Sequence, residues 1–217
     1  MDIVLIVSRT RMARGVCVGG INERNGELIR LHGERGENLT ADAPYEIGDR
    51  WLMFVETAWN VREAPHVEDK QTRHLEKIEN VGIDGIADYV MNHDMGKRLY
   101  RGSLDGAFEG CLQSRNHVTR DKVPGFSTQF WINDKPLRHS LSFDKDYYYY
   151  QDLKIRFVGF QQAVEEIPAG TIVRLSLANW WDNNGNFDEE RCYLQISGWY
   201  GASEKACHSE IDDDLPF

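Results

Sequence analysis

No apolar run approaches the roughly 18 residues that a membrane helix needs. The opening stretch MDIVLIVSRTRMARG lacks both the basic start and the small-residue cleavage site of a secretory leader. These two absences predict a cytoplasmic protein with no membrane contact. Cysteine is sparse: Cys17, Cys111, Cys192 and Cys207 stand far apart with no CxxC pair, too thin for a disulfide framework, so reduced and mostly buried thiols are expected. Positive charge is in deficit, with 25 Lys and Arg against 35 Asp and Glu and a net charge of -10. That balance excludes a broad basic face for duplex DNA, because neutralising phosphates needs local cations. Gly19-Gly20 lacks the GxGxxG and GxxxxGK[ST] spacings, so no phosphate-cradling loop is indicated there, and bulges or close strand crossings account for these glycines more simply. No cofactor is expected.

Ordinary folded protein is what remains. The 217 residues are 41% hydrophobic and 11% aromatic, enough for one large or two small domains with real cores. DIVLIVS is rich in Ile and Val and too short for a helix, so it predicts a buried strand. GVCVGGI and ELIRLH repeat the signal on either side of the turn pair Asn25-Gly26, and RWLMFVETAWNV adds a fourth strand. IADYVMNHDMGKRLY predicts a helix, with Ile86, Tyr89 and Val90 at helical spacing, Asp84 near its start and Gly96 near its end. Beyond it, TQFWIND, YYYYQDLKIRFVGF, GTIVRLSLANWW and RCYLQISGWYG are again strand-like. In TIVRLSLANW the alternation puts Ile172, Arg174 and Ser176 on one face and Val173, Leu175 and Leu177 on the other, a half-buried strand. The expected architecture is mainly β: a first unit at 1–82, a helical connector at 83–100, a second unit at 101–201 and a flexible acidic tail at 202–217. No repeat is visible in the sequence, yet strand groups on both sides of one helix point to two related β units.

CVGG (Cys17 to Gly20), PHVED (Pro65 to Asp69), RLSLANWW (Arg174 to Trp181) and YLQISGWY (Tyr193 to Tyr200) resemble a bacterial family described as a dual OB-containing domain. The resemblance spans residues 1–201 and implies two small oligonucleotide-binding-type (OB) barrels, without a settled activity. OB barrels bind single strands by stacking bases on aromatic rings and tracking phosphates with Lys and Arg. Positive charge gathers at Arg9, Arg11 and Arg14 and again at Arg115, Arg120 and Lys122, which are the candidate phosphate contacts. Of the six tryptophans, Trp51, Trp59, Trp131 and Trp199 suit a core, whereas the adjacent pair Trp180-Trp181 must point in opposite directions on a strand, which offers one ring to a ligand. The run Tyr147 to Tyr150 has the same property.

PHVED supports a different reading. His66, Glu68 and Asp69 place an imidazole and two carboxylates within four residues, and with His32 or His93 they would make a metal-dependent site for nucleic acid or nucleotide chemistry. Cys17 with His66 as base would make a nucleophile. The structural alternatives are a turn capped by Asp69 and an inert strand thiol flanked by valines.

The chain stops on EIDDDLPF. Three acidic residues, Asp212, Asp213 and Asp214, precede Leu215, Pro216 and a terminal Phe217 that gains nothing from solvation. These six residues resemble the C-terminal tip of bacterial single-stranded DNA-binding proteins, which docks on DNA replication, recombination and repair enzymes. The resemblance implies that Phe217 enters an apolar pocket, that its α-carboxylate meets a basic group and that the Asp run faces a basic rim. The functional expectation is an accessory protein that binds single-stranded DNA or RNA and recruits DNA-metabolism enzymes. Its rivals are a decoy that occupies those enzymes' docking pockets without binding nucleic acid, as would suit a phage or mobile element, and the metal-dependent enzyme above.

Overall fold

In the computed structural model, residues 1–12, 15–57, 63–186 and 188–201 are described. The N-terminal apolar run forms β1 (Asp2–Arg11), followed by β2 (Val16–Asn22) and β3 (Glu27–His32) as an antiparallel meander. The β2–β3 turn uses Gly26 in the left-handed region (φ 70°), where glycine carries no Cβ penalty. β4 (Asp49–Thr57) pairs antiparallel with β1 and with β5 (Asp69–Asn80), and β5 runs parallel to β3. The ring β1–β2–β3–β5–β4 therefore closes into a barrel, the five-stranded OB arrangement, with Val4, Ile6, Val18, Ile29, Trp51 and Met53 filling it. β5 has no apolar alternation because most of its length faces water. Backbone pairing and ion pairs such as Lys77 Nζ to Asp49 Oδ1 (2.7 Å) hold it to β4.

The predicted helix is α1 (Gly82–Asn92), whose Ile86, Ala87, Tyr89 and Val90 form the buried stripe. It ends eight residues short of the expected connector boundary. Asp94 Oδ1 accepts the Gly96 N–H at 2.8 Å, a single 3-10 turn follows at Gly96–Arg98, and the chain enters β6 (Leu99–Gly102) of the second sheet.

That sheet contains β7 (His117–Thr119), β8 (Thr128–Asn133), β9 (Leu137–Ser142), β10 (Lys145–Tyr150) and β11 (Leu153–Phe157). It is completed by the short β12 (Glu166–Ile167), β13 (Ile172–Leu177) and β14 (Arg191–Tyr200). Its path β9–β10–β11–β14–β13 repeats the order of the first barrel, with the parallel pair β11–β14 in the same place as β3–β5. β8 takes the remaining edge of β13, and only residues 134–136 separate it from β9. The two behave as halves of one bent first strand. The repeat that the sequence hides is thus a repeat of topology. Trp131, Tyr148, Tyr150, Val173, Ile196 and Trp199 form this unit's core.

The two units share a third cluster, in which Leu5, Val7, Ile21 and Leu28 from the barrel and the α1 stripe meet Phe130, Ile172 and Tyr200 from the second sheet. Backbone pairing continues across the seam: Arg11 N–H donates to Val158 O and Phe160 N–H to Arg9 O, both at 3.0 Å. The Tyr200 hydroxyl donates to Val7 O. This seam corrects the expectation for β13. Of its Ile172–Arg174–Ser176 face only Ser176 is half-buried, while Ile172 and Arg174 are each 4% exposed, because the first barrel lies over that face. Among the described residues no helix is long and apolar enough to cross a membrane.

Candidate nucleic-acid interface

Strand alternation decides what the outer face of β9, β10 and β11 presents. Tyr148, Tyr150, Ile155 and Phe157 point into the core, so Tyr147, Tyr149, Lys154 and Arg156 point out. Pairing arranges them in two rows: Arg138, Tyr149 and Lys154 in one, and Ser140, Tyr147 and Arg156 in the other. Lys154 Nζ lies 4.0 Å from the centre of the Tyr147 ring. The outward positions of these three strands carry no carboxylate. Asp146 is turned to the other side, where His139 Nε2 lies 2.8 Å from Oδ1. Only Arg138 has an ion-pair partner among the described residues, Glu166 at 3.3 Å. At the β9–β10 turn Phe143 is 94% exposed and held at φ 49°, a left-handed conformation that a bulky side chain rarely adopts.

The second row does not stop at β11. Arg156 is aligned with Gln195 on β14, Gln195 with Ser176 on β13, and Ser176 with Thr128 on β8. Two residues before Gln195, Tyr193 packs against Trp181, which is 45% exposed. Gln195, Ser176 and Thr128 then line a cavity of about 310 Å³ between the two units. Its opposite wall is the outer face of β2 and β3, with Cys17, Arg30 and His32, and it also includes Arg11, Glu68 and Arg174. In OB barrels that face of strands 2 and 3 is the usual ligand surface. Here it is turned onto the second unit. Gly19 makes the approach feasible, since a Cβ there would sit 2.5 Å from Arg174 Nη2.

The sequence-predicted residues divide among these surfaces. Arg9 and Arg11 stand at the seam, each guanidinium 5.0 Å from the Phe160 ring centre, and Arg11 alone reaches the cavity. Arg115 is committed to Asp152 (2.9 Å), and Arg120 to Glu63 (2.9 Å) and Glu190 (2.8 Å) while stacking 4.0 Å over Trp180. Lys122 donates to Gly110 O. The structure therefore brings Arg120 and Trp180 together but does not gather the five described cations, Arg9, Arg11, Arg115, Arg120 and Lys122, into one patch. Of the tryptophan pair, Trp180 packs against the core and Trp181 faces outward. Arg14, Trp59 and Asp212 to Phe217 lie outside the described residues.

PHVED is spoken for by protein partners. Glu68 is buried and accepts from Arg98 Nη1 (2.8 Å), the Ser127 N–H (2.8 Å) and hydroxyl (2.8 Å), and the Thr128 N–H (3.1 Å). Burial alone would raise its pKa, but these donors hold it below the ordinary glutamate range. Burial likewise pushes Asp69 up, and His32 and Arg30 overcome it and bring the carboxyl down to about 2. The thiol beside His66 is Cys192, with Sγ 3.6 Å from Nε2, and not Cys17, which lies on the outer face of β2. Burial pushes Cys192 up to about 12, so it is no thiolate at neutral pH. Among the described residues no three His, Cys, Asp or Glu side chains are grouped to hold a metal ion.

The sequence singles out the Tyr147 to Tyr150 run for its outward rings but not Arg138, Lys154 and Arg156, because isolated cations in LRHSLS and LKIRF are unremarkable as runs of letters. The usable signal was period two, which puts Lys154, Arg156, Tyr147 and Tyr149 on the face opposite the core. The model of a family described as a dual OB-containing domain matches residues 2–199. No curated protein and no solved structure matches the chain.

Proposed function

Since the chain belongs to the dual OB-containing domain family, we propose that its second unit binds single-stranded nucleic acid along the outer face of β9, β10 and β11. Bases stack on Tyr147 and Tyr149, and phosphates follow Arg138, Lys154 and Arg156. One observation carries this reading: in a chain of net charge -10, these strands present basic and aromatic side chains outward and no acidic ones. Stacking contributes about 1 to 3 kcal/mol per base. Three phosphate contacts imply a log–log salt slope of about -2 for a single strand. Fluorescence anisotropy with labelled single-stranded oligonucleotides tests it. Expected is binding at low salt that weakens with that slope, and a loss of about five-fold or more in the Tyr147→Ala variant. Absence of salt-dependent binding at low salt would sink the proposal.

The terminal hexapeptide supports a recruiting role beside it. Burying a Phe ring is worth roughly 1.5 to 3 kcal/mol, the α-carboxylate accepts charge-assisted hydrogen bonds, and Pro216 limits the freedom lost on docking. In this reading the bound strand and the captured DNA-metabolism enzyme are brought together by one chain. Deleting Phe217 should abolish capture of enzymes that dock on single-stranded DNA-binding protein tails. Equal capture with and without Phe217 refutes it, and capture without any nucleic-acid binding identifies the decoy.

A further inference from the structure

Among the described residues, Arg174 is a buried charge with few partners. It is 4% exposed, its Nη1 donates to the Ser197 hydroxyl at 2.8 Å, and its Nε is buried with no partner. Among the described residues no carboxylate lies within ion-pair distance of it. A buried guanidinium in that condition destabilises a fold, since removing an ion from water is offset only by a paired counter-charge. Arg30, across the cavity, is only partly satisfied as well: Nε binds Asp69, but Nη2 is buried without a partner.

Charge and size identify what would complete the site. Arg11, Arg30 and Arg174 line the cavity with Glu68, and Arg98 and Asp69 stand directly behind them as ion-pair partners. Four guanidinium groups against two carboxylates leave two positive charges, matching the roughly -1.5 to -2 of a phosphate monoester at neutral pH. A lone phosphate would not fill about 310 Å³, a volume at the lower end of small-molecule sites. The lining also includes Met12, Val16, Leu31 and Leu177, apolar surface suited to a base or sugar. The exposed Met12, Asn38 and Asn179 form its rim.

We infer that this cavity is a binding site for the terminal phosphate monoester of a nucleotide, with Arg174 and Arg30 as the buried phosphate contacts and Arg11 at the mouth. The chemistry is shared by a free mononucleotide and by the phosphorylated end of a strand. Continuity with the Tyr147–Arg156–Gln195–Ser176 row makes a strand end geometrically accessible. Three strand spacings, about 14 Å, separate β10 from β13. The site extends the single-strand reading but does not require it, because a mononucleotide has no second residue to lay on the open face.

The test is calorimetric titration of the full chain with thymidine 5′-monophosphate, thymidine, and ten-residue oligothymidylates with and without a 5′-phosphate. The wild type should bind the monophosphate, ignore thymidine, and bind the phosphorylated oligomer more tightly than the unphosphorylated one. Equal affinity for monophosphate and phosphorylated oligomer assigns the site to free nucleotides, and tighter oligomer binding assigns it to strand ends. Arg174→Gln should weaken monophosphate binding by about ten-fold or more, the loss for one charged hydrogen bond, without lowering the melting temperature. Should that variant fold poorly, Arg11→Gln, at the rim, reads the same loss. No binding of the monophosphate, equal binding of thymidine, or wild-type affinity in both variants would overturn the inference. Tyr147→Ala leaves monophosphate binding intact, so failure here and failure of the single-strand reading are told apart.

Discussion

Glu68 and Asp69 show how one residue can be conspicuous in a sequence for a reason other than the one it first brings to mind. PHVED stood out as two adjacent carboxylates with a histidine. Period-two geometry sends the carboxylates to different partners, Glu68 to Arg98 and the Ser127 and Thr128 donors, Asp69 to Arg30 and His32. Glu68→Ala leaves those donors without an acceptor, and a loss of about 3 kcal/mol is expected by urea unfolding at pH 7. Asp69 makes a pH prediction. Its folded pKa of about 2 lies below the ordinary value of 3.8, so its contribution is present above that ordinary value and is lost as pH falls through about 2. Wild type should lose stability between pH 4 and pH 2 more steeply than Asp69→Asn, measured by urea midpoints across that range. Arg174 could not be read from sequence, because alternation alone places a charged strand residue on the wet side. Only the barrel lying over β13 reverses that.

At the scale of elements, legibility followed apolar pattern. β1, β2, β3, β4, β8 and β14 were visible as apolar runs with turns between them, and α1 as a 3.6-residue stripe. β5 and β9 were not, since LEKIEN and LRHSLS interleave charge and small polar groups on strands with largely exposed surfaces. The β9–β10 hairpin turns through Phe143 and Asp144, both left-handed, where asparagine followed by glycine is the favoured pair. An exposed phenylalanine there is strained and gains no burial. Phe143→Asn should therefore raise stability by about 1 kcal/mol in thermal or urea unfolding, while weakening oligonucleotide binding if the ring stacks on a base. A gain in stability with unchanged oligonucleotide binding would show that the ring has no part in binding.

For the whole molecule, the expectation of two OB-like units was readable from strand groups and from the family resemblance, but their mutual arrangement was not. Leu5, Val7, Ile21, Phe130, Ile172 and Tyr200 each look like core residues of their own unit, and nothing in their spacing says that they form a shared one. Because that cluster and the β1 to 158–160 pairing join the units, calorimetry should show one unfolding transition in place of two. A fragment of residues 101–201 should not fold alone, as it would expose Phe130, Ile172 and Tyr200. The seam has a further consequence for valency. Tandem OB folds ordinarily multiply affinity by tethering several ligand faces at high effective concentration. In this chain the first barrel's strand 2 and 3 face is enclosed at the seam, with room for a nucleotide but not for a second length of strand, so two folds leave one open platform. Titration with strands of increasing length should saturate at the footprint of a single OB fold, with no avidity step when the strand becomes long enough to span two.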